Sequence, residues 1–176
     1  MKNKVLITGG SGLIGSRLTK MLIENEYEVT HLTRAKNSKN DVKTYEWNWE
    51  QNYIDENCLY GTKIIVHLAG AGVAEKPWTK KRKETIVKSR VLTSRLLHSC
   101  IKKNKLKLNS FISASGIGFY GAITNEMIYN EENEAHSDFI GNCCKQWERA
   151  ADLFQDESNV YKFRLGIVLD KNEGAL

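Results

Sequence analysis

The sequence predicts an α/β fold in which a doubly wound parallel sheet is covered by helices on both faces. Two observations carry this prediction. Short apolar runs typical of buried strands alternate with segments of helical period, and a glycine-rich turn joins the first strand directly to the first helix. With 176 residues, of which 41% are hydrophobic and 27% charged, the chain is expected to form one domain with its own core, residues 1–176.

The first half of the chain opens with a predicted strand–helix–strand unit. Residues 4–8 and 28–33 are apolar runs typical of buried strands, and residues 12–25 between them repeat apolar side chains at helical spacing. Residues 35–41 are polar and predict a loop. Residues 44–49 alternate in polarity, as expected of a short strand.

The second half continues the alternation of strands and helices. A long helix is expected to begin with Thr79 as its N-cap and to run to about residue 103. The remaining predicted elements are strands at 63–68, 108–114 and 161–169 and a helix at 138–155.

Composition narrows the class of protein. The net charge is +5, and its densest basic block, residues 80–90, falls on an amphipathic helix pattern, so we interpret it as a solvated face and expect no nucleic-acid partner. No apolar run approaches the roughly 20 residues needed to cross a bilayer, so no membrane partner is expected. The chain begins without a signal-peptide pattern and its four cysteines show no C-x-x-C spacing. We therefore expect a cytoplasmic protein with reduced thiols and no metal site.

The stretch "LITGGSGLIGSRL", residues 6–18, carries the strongest functional signal. Gly9, Gly12 and Gly15 follow a strand and open a helix. This arrangement lets a pyrophosphate approach the backbone at a helix N-terminus, whose free N–H groups and dipole favour an anion. The motif predicts a Rossmann-type dinucleotide site.

The end of the second predicted strand indicates which dinucleotide is bound. An acidic residue there would hydrogen-bond the ribose 2′-hydroxyl of NAD, but the chain has Thr33 and Arg34 at this place. An arginine suits the 2′-phosphate, so we expect NADP(H) in preference to NAD(H).

These residues resemble a known family. The glycine spacing, "VHLAG" (residues 66–70) and "FISASGIGFYG" (residues 111–121) resemble the extended short-chain dehydrogenase/reductases, the NAD(P)-dependent epimerase and dehydratase superfamily. "GAGVAEKPWTKKRKETIVKSRV", "DFIGNCCKQWE" and "RLGIVLDKNEGAL" resemble, more narrowly, its atypical group of epimerase family proteins, also called nucleoside-diphosphate-sugar epimerases or cell-division-inhibitor-like proteins.

The resemblance implies a set of cofactor contacts and a catalytic serine. Ser115 stands where the superfamily has its active-site serine. The implied cofactor-binding residues are Gly9, Ser11, Gly12, Leu13, Ile14 and Gly15 around the pyrophosphate, Thr33 and Arg34 at the adenosine ribose, Leu68, Ala69 and Gly70 toward the nicotinamide ribose, and Arg164, Leu165 and Gly166 near the nicotinamide.

The superfamily's proton-transfer pair, Tyr-x-x-x-Lys, is missing. None of the seven tyrosines has a lysine four residues later. If Glu148 matches the glutamate that follows that lysine by one helical turn, Ile140 and Cys144 occupy the two positions. Tyr120, just after the serine strand, is the candidate we retain beside Ser115, and Cys144 is a weaker one.

Two hypotheses remain open. The chain is either an NADP-dependent oxidoreductase or epimerase of atypical mechanism acting on an unidentified small molecule, or a dinucleotide-binding regulatory protein without catalysis. The relatives' C-terminal portion, which forms most of their substrate pocket, has no counterpart in these 176 residues, so we expect the cofactor half of a longer protein. The sequence leaves an oligomer open.

Overall fold

The computed structural model describes residues 3–34, 42–122 and 126–170. Its elements in chain order are β1 (Lys4–Thr8), α1 (Leu13–Glu24), β2 (Glu28–Thr33), β3 (Lys43–Asn48), β4 (Tyr53–Ile54), β5 (Thr62–His67), α2 (Lys80–Lys103), β6 (Ser110–Gly116), α3 (Phe139–Asp152) and β7 (Asn159–Leu165). Short 3-10 helices cover Glu56–Leu59 and Ile117–Tyr120. The predicted loop at 35–41 lies outside the described residues.

The strands form one sheet in the order β4-β3-β2-β1-β5-β6-β7. All neighbours pair in parallel except β3 and β4, which are antiparallel. The predicted doubly wound parallel sheet is therefore confirmed, and it carries one short antiparallel edge strand that the sequence did not predict. The last strand was predicted at 161–169 but spans Asn159–Leu165, so both predicted boundaries lie too far toward the C-terminus.

Helices cover both faces of this sheet because side chains alternate along each strand. On β1, Leu6 faces a cluster that includes residues of α2 and α3, whereas Val5 and Ile7 face a second cluster against Leu18 and Leu22 of α1. The two layers of core fix α1 on one side and α2 and α3 on the other.

The helices α2 and α3 begin at side-chain caps. Thr79 accepts a hydrogen bond from the N–H of Arg82, as the sequence predicted, and Asp138 accepts one from the N–H of Gly141. In the described parts of the chain, no helix is long and apolar enough to span a membrane.

Candidate functional site

A cleft of about 510 Å³ opens at the carboxyl ends of β1, β2, β3 and β5. This is the edge of a parallel sheet where ligands bind in open α/β folds, at the point where the strand order reverses. The predicted cofactor-binding residues that line it are Gly9, Ser11, Gly12, Thr33, Arg34, Leu68, Ala69 and Gly70. The structure thus brings together the glycine turn, the end of β2 and the loop after β5.

Two glycines of the turn are required by the fold itself. Gly9 has a φ of +72°, in the left-handed region that L side chains rarely adopt. A Cβ on Gly15 would lie 2.3 Å from the carbonyl oxygen of Gly9, so only glycine lets the first turn of α1 pack against the turn after β1.

Gly12 differs from these two because protein packing does not require it. Its φ of −80° suits any residue, and a Cβ there would meet only the Gly9 carbonyl oxygen, at an ordinary 3.5 Å. Gly12 lines the cleft, so a side chain at this position would fill space in front of the N-terminus of α1. That space fits a group that must approach the backbone closely.

The N-terminus of α1 is also uncapped in the part of the chain that the structure describes. No side chain caps it and no acidic residue stands in its first turn, whereas both other α-helices in the described chain have side-chain caps. Unsatisfied N–H groups and a positive dipole end at a polar cleft suit a phosphate. The residues present therefore fit the pyrophosphate of a dinucleotide. Leu13, Ile14 and Gly15 form this first helical turn and are not among the residues lining the cleft.

Besides Ala71, Gly72 and Glu75, which continue the loop after β5, sequence reasoning missed two parts of the lining. One is the segment at the carboxyl end of β3, which follows β2 in the sheet and so lies beside Thr33 and Arg34: Trp47, Asn48, Trp49 and Glu50. The other is one face of α2, with Arg82, Thr85, Ser89 and Thr93. The signal for the first was available, because any residue that ends a parallel strand in this fold faces the same edge.

The basic block at 80–90 is only partly a solvated face, so that interpretation needs correction. Lys80 and Lys81 are exposed, but Arg82 and Arg90 turn toward the protein. Arg82 lines the cleft, and Arg90 donates to the carbonyls of Ala71 and Ile86. The helix pattern concealed this, because long side chains near a helix end can reach a neighbouring loop.

The two predicted catalytic residues lie in a second group, which joins β6, α3 and β7. Arg164 forms a two-pronged ion pair with Glu148, with Nε–Oε1 at 2.9 Å and Nη2–Oε2 at 3.0 Å. Ser115 donates to Glu148 Oε1 at 2.7 Å, and Arg164 Nη1 donates to the Tyr120 hydroxyl at 2.7 Å. The Arg164 guanidinium also lies 3.5 Å from the ring centroid of Phe119.

The hydroxyl protons of this network are both engaged. Ser115 gives its proton to Glu148, and Tyr120 gives its proton to the carbonyl oxygen of Asn130 at 2.8 Å. Burial raises the pKa of Glu148, but hydrogen bonds from Arg164 and Ser115 and the charge of Arg164 outweigh it and lower the pKa overall. Glu148 is therefore ionised and holds both Ser115 and Arg164 in place. The hydroxyl oxygens of Ser115 and Tyr120 offer lone pairs to any further partner.

Among the described residues, those of the Ser115 network lie outside the lining of the cleft. Ser115 is only 4% exposed, and neither it, Tyr120 nor Arg164 lines the cleft. Leu165 and Gly166 follow at the end of β7, opposite Gly116 of β6, and also lie outside the lining. The structure thus places the predicted cofactor residues in two groups.

Ile140 and Cys144, which would stand at the tyrosine and lysine positions if Glu148 matches the superfamily's glutamate, pack against the turn after β6. A Cβ on Gly118 would lie 2.3 Å from Ile140, and one on Gly116 would lie 3.9 Å from the sulfur of Cys144. Burial raises the pKa of the Cys144 thiol, which argues against a reactive thiolate there.

The family model described as the NAD dependent epimerase/dehydratase family matches residues 5–142. An epimerase family protein of Staphylococcus saprophyticus is 35% identical over 177 residues, an alignment that covers 97% of this chain and 57% of that protein. An epimerase family protein of Staphylococcus aureus strain NCTC 8325 is 31% identical over 173 residues, again 97% of this chain and 57% of that protein. The chain spans about half the length of the curated relatives it matches.

Solved structures of epimerase family proteins share the fold of this chain. A nucleoside-diphosphate sugar epimerase from Corynebacterium glutamicum superposes with a TM-score of 0.80 at 32% identity, covering 99% of this chain and 36% of that one. The human epimerase family protein SDR39U1, solved with NADPH, superposes with a TM-score of 0.79 at 26% identity, covering 98% of this chain and 56% of that one. MoeE5 in complex with UDP-glucose and NAD, at 21% identity and a TM-score of 0.75, shares the fold.

Proposed function

Because the chain belongs to the NAD dependent epimerase/dehydratase family, whose cofactor is a nicotinamide dinucleotide, we propose that it binds NADP(H) and serves an oxidoreductase or epimerase reaction on a small molecule. The observation that carries the proposal is the uncapped N-terminus of α1, which faces the cleft beside a glycine that packing does not require.

Arg34 supports the preference for NADP(H). It directly follows β2, lines the cleft and is exposed, so its guanidinium is available to a ligand. A 2′-phosphate adds a charge that a guanidinium can bind with paired hydrogen bonds, while the 2′-hydroxyl of NADH offers no such charge. The human relative solved with NADPH supports the same preference.

The Ser115 network supports a role toward a substrate hydroxyl. When bound, the nicotinamide ring supplies or accepts hydride. Since Glu148 holds the proton of Ser115, the serine oxygen can accept a hydrogen bond from an alcohol and orient it, whereas a carbonyl oxygen would find no proton there. The hydroxyl of Tyr120 likewise donates its proton, to the carbonyl of Asn130, and accepts from Arg164, so it too can act toward a substrate only as an acceptor.

One observation favours the alternative, a dinucleotide-binding regulatory protein. Ile140 and Cys144, the residues that a match of Glu148 would put at the places of the proton-transfer pair, pack against the turn after β6, and the ionised Glu148 is a weak base because its pKa is lowered. A protein of this kind would bind the dinucleotide without turnover.

The test is a titration of the chain with NADPH and, in parallel, NADH, followed by nicotinamide fluorescence. We expect NADPH to bind roughly 10-fold tighter or more, because a charged hydrogen-bonded pair contributes about 1.5–3 kcal/mol. Arg34→Ala should bring NADPH close to the affinity for NADH. Arg95→Ala removes the same charge from an exposed position of α2 outside the cleft and should leave both affinities unchanged. Equal affinities for the two dinucleotides would contradict the NADP(H) preference.

A further inference from the structure

The face of α2 that lines the cleft carries four side chains at helical spacing, Arg82, Thr85, Ser89 and Thr93. The three hydroxyls are engaged with backbone groups. Thr85 donates to the carbonyl of Lys81, Ser89 to that of Ile86, and Thr93 to that of Ser89. Their protons are used, so Arg82 is the residue of this face with a hydrogen-bond donor left for an anionic ligand.

Arg82 lines the cleft and keeps one donor unused. Its side chain is 15% exposed, and Nη2 donates both to the carbonyl of Gly72 and to Glu75 Oε2, the latter at 3.1 Å. Its Nε is buried and finds no acceptor among the described residues. A buried donor without an acceptor is costly, and at the lining of a polar cleft it indicates an anionic partner.

The present partner of Arg82 is easily exchanged. The side chain of Glu75 is 66% exposed, and an ion pair with so much contact to water contributes little. Glu75 folds over Gly72, where a Cβ would lie 2.2 Å from its carboxylate oxygen. The carboxylate thus rests beside Arg82 on a flexible side chain at the rim of the cleft.

The backbone of Arg82 is fixed. Its N–H donates to the Oγ1 of Thr79, the N-cap of α2, and Trp78 Nε1 donates to the carbonyl of Val73, which closes the loop before the helix. The guanidinium is therefore presented to the cleft by a hydrogen-bonded helix start, while the carboxylate that neutralises it lies on an exposed side chain.

We propose that Arg82 binds a phosphate of the dinucleotide and that Glu75 is the carboxylate this phosphate displaces. The inference rests on the proposed function and adds a second cationic contact to the cleft that Arg34 also lines. The phosphate is either the 2′-phosphate or the pyrophosphate, and the two are distinguished by comparing NADPH with NADH.

The experiment measures the dissociation constants of NADPH and NADH for the unsubstituted chain and four variants. Arg82→Ala is expected to weaken binding roughly 10- to 100-fold. Loss for NADPH alone would identify the 2′-phosphate, and equal loss for both would identify the pyrophosphate. Arg82→Gln keeps a polar, hydrogen-bonding side chain, shorter than arginine and without the charge, and should lose most of the same affinity. Glu75→Gln should tighten binding roughly 3-fold, because the competing charge is gone.

Lys81→Ala is the matched control, since it removes one positive charge from an exposed neighbour in the same helical turn. Circular dichroism and thermal melting confirm that each variant is folded. If Arg82→Ala and Arg82→Gln bind both dinucleotides as Lys81→Ala does, the inference is overturned while the proposed function stands. If the unsubstituted chain binds neither dinucleotide, the proposed function is overturned and this inference falls with it. Weaker binding by Glu75→Gln would overturn the competition between the carboxylate and the phosphate.

Discussion

At the scale of single residues, the ion pair of Arg164 and Glu148 is a two-pronged and largely buried polar contact between β7 and α3. Their side chains are 16% and 9% exposed, so removing one partner leaves a buried charge uncompensated. We expect Arg164→Met to lower the free energy of unfolding by about 3–5 kcal/mol. Combining it with Glu148→Gln should recover part of this loss, since the unpaired charge disappears. Urea denaturation of the two single variants and the double variant measures the coupling.

The same strand offers a control for this pair. Lys162 of β7 pairs with Asp152 of α3 at 2.8 Å, but both side chains are about one-third exposed. Lys162→Met should therefore change the free energy of unfolding by about 1 kcal/mol or less. Single-variant losses for Arg164 and Glu148 that simply add in the double variant would show that the buried pair is not coupled.

At the scale of elements, His67 ties β5 to β1 and α2. Its ring nitrogens hydrogen-bond the hydroxyls of Thr8 at 2.8 Å and Thr93 at 3.3 Å, and burial lowers its pKa to about 4. The unfolded chain, with a histidine pKa of about 6.5, binds a proton at a pH where folded His67 stays neutral. This contribution to stability is complete above pH 6.5 and is lost as the pH falls toward about 4.

Denaturation at several pH values from 7 to about 4.5 tests this expectation. The free energy of unfolding should fall by up to about 1.4 kcal/mol per pH unit from His67 alone, and His67→Asn should reduce that slope. Thr93→Val removes a hydrogen bond but keeps the imidazole, so it should lower stability and leave the slope in place. An unchanged slope in His67→Asn would place the pH dependence elsewhere, for example at buried His31, whose pKa burial also lowers.

The elements also show what the sequence could and could not predict. Periodicity located every long strand and helix, since each buries a continuous apolar face, and the caps at Thr79 and Asp138 follow from local chemistry. The two-residue strand β4 was missed because it is defined by its pairing with Trp47 and Asn48, which a local pattern does not contain. The orientation of the Arg82 side chain depends on its contacts with the loop that ends at Thr79, so the local sequence pattern could not predict it either.

At the scale of the whole molecule, the cleft lies along one edge of the sheet, and one exposed apolar surface lies at the β7 end of the sheet. The cleft takes its walls from four strand ends and from α2. Beyond it, β7 ends the sheet in the described part of the chain, and Tyr161 and Phe163 on one face of that strand are 50% and 56% exposed. Ile167 and Leu169, just after the strand, add to this apolar surface.

An edge strand with apolar side chains can pair with, or pack against, another chain. We therefore expect these 176 residues to associate with one another as concentration rises, and Tyr161→Thr combined with Phe163→Lys to keep them monomeric. Sedimentation velocity over a range of concentrations measures the change. Tyr60→Thr is the control, because Tyr60 is more exposed still but lies away from β7, in the turn between the first 3-10 helix and β5. If the chain stays monomeric at all concentrations, or if Tyr60→Thr abolishes association as fully as the β7 variant, then the β7 edge is not the contact surface.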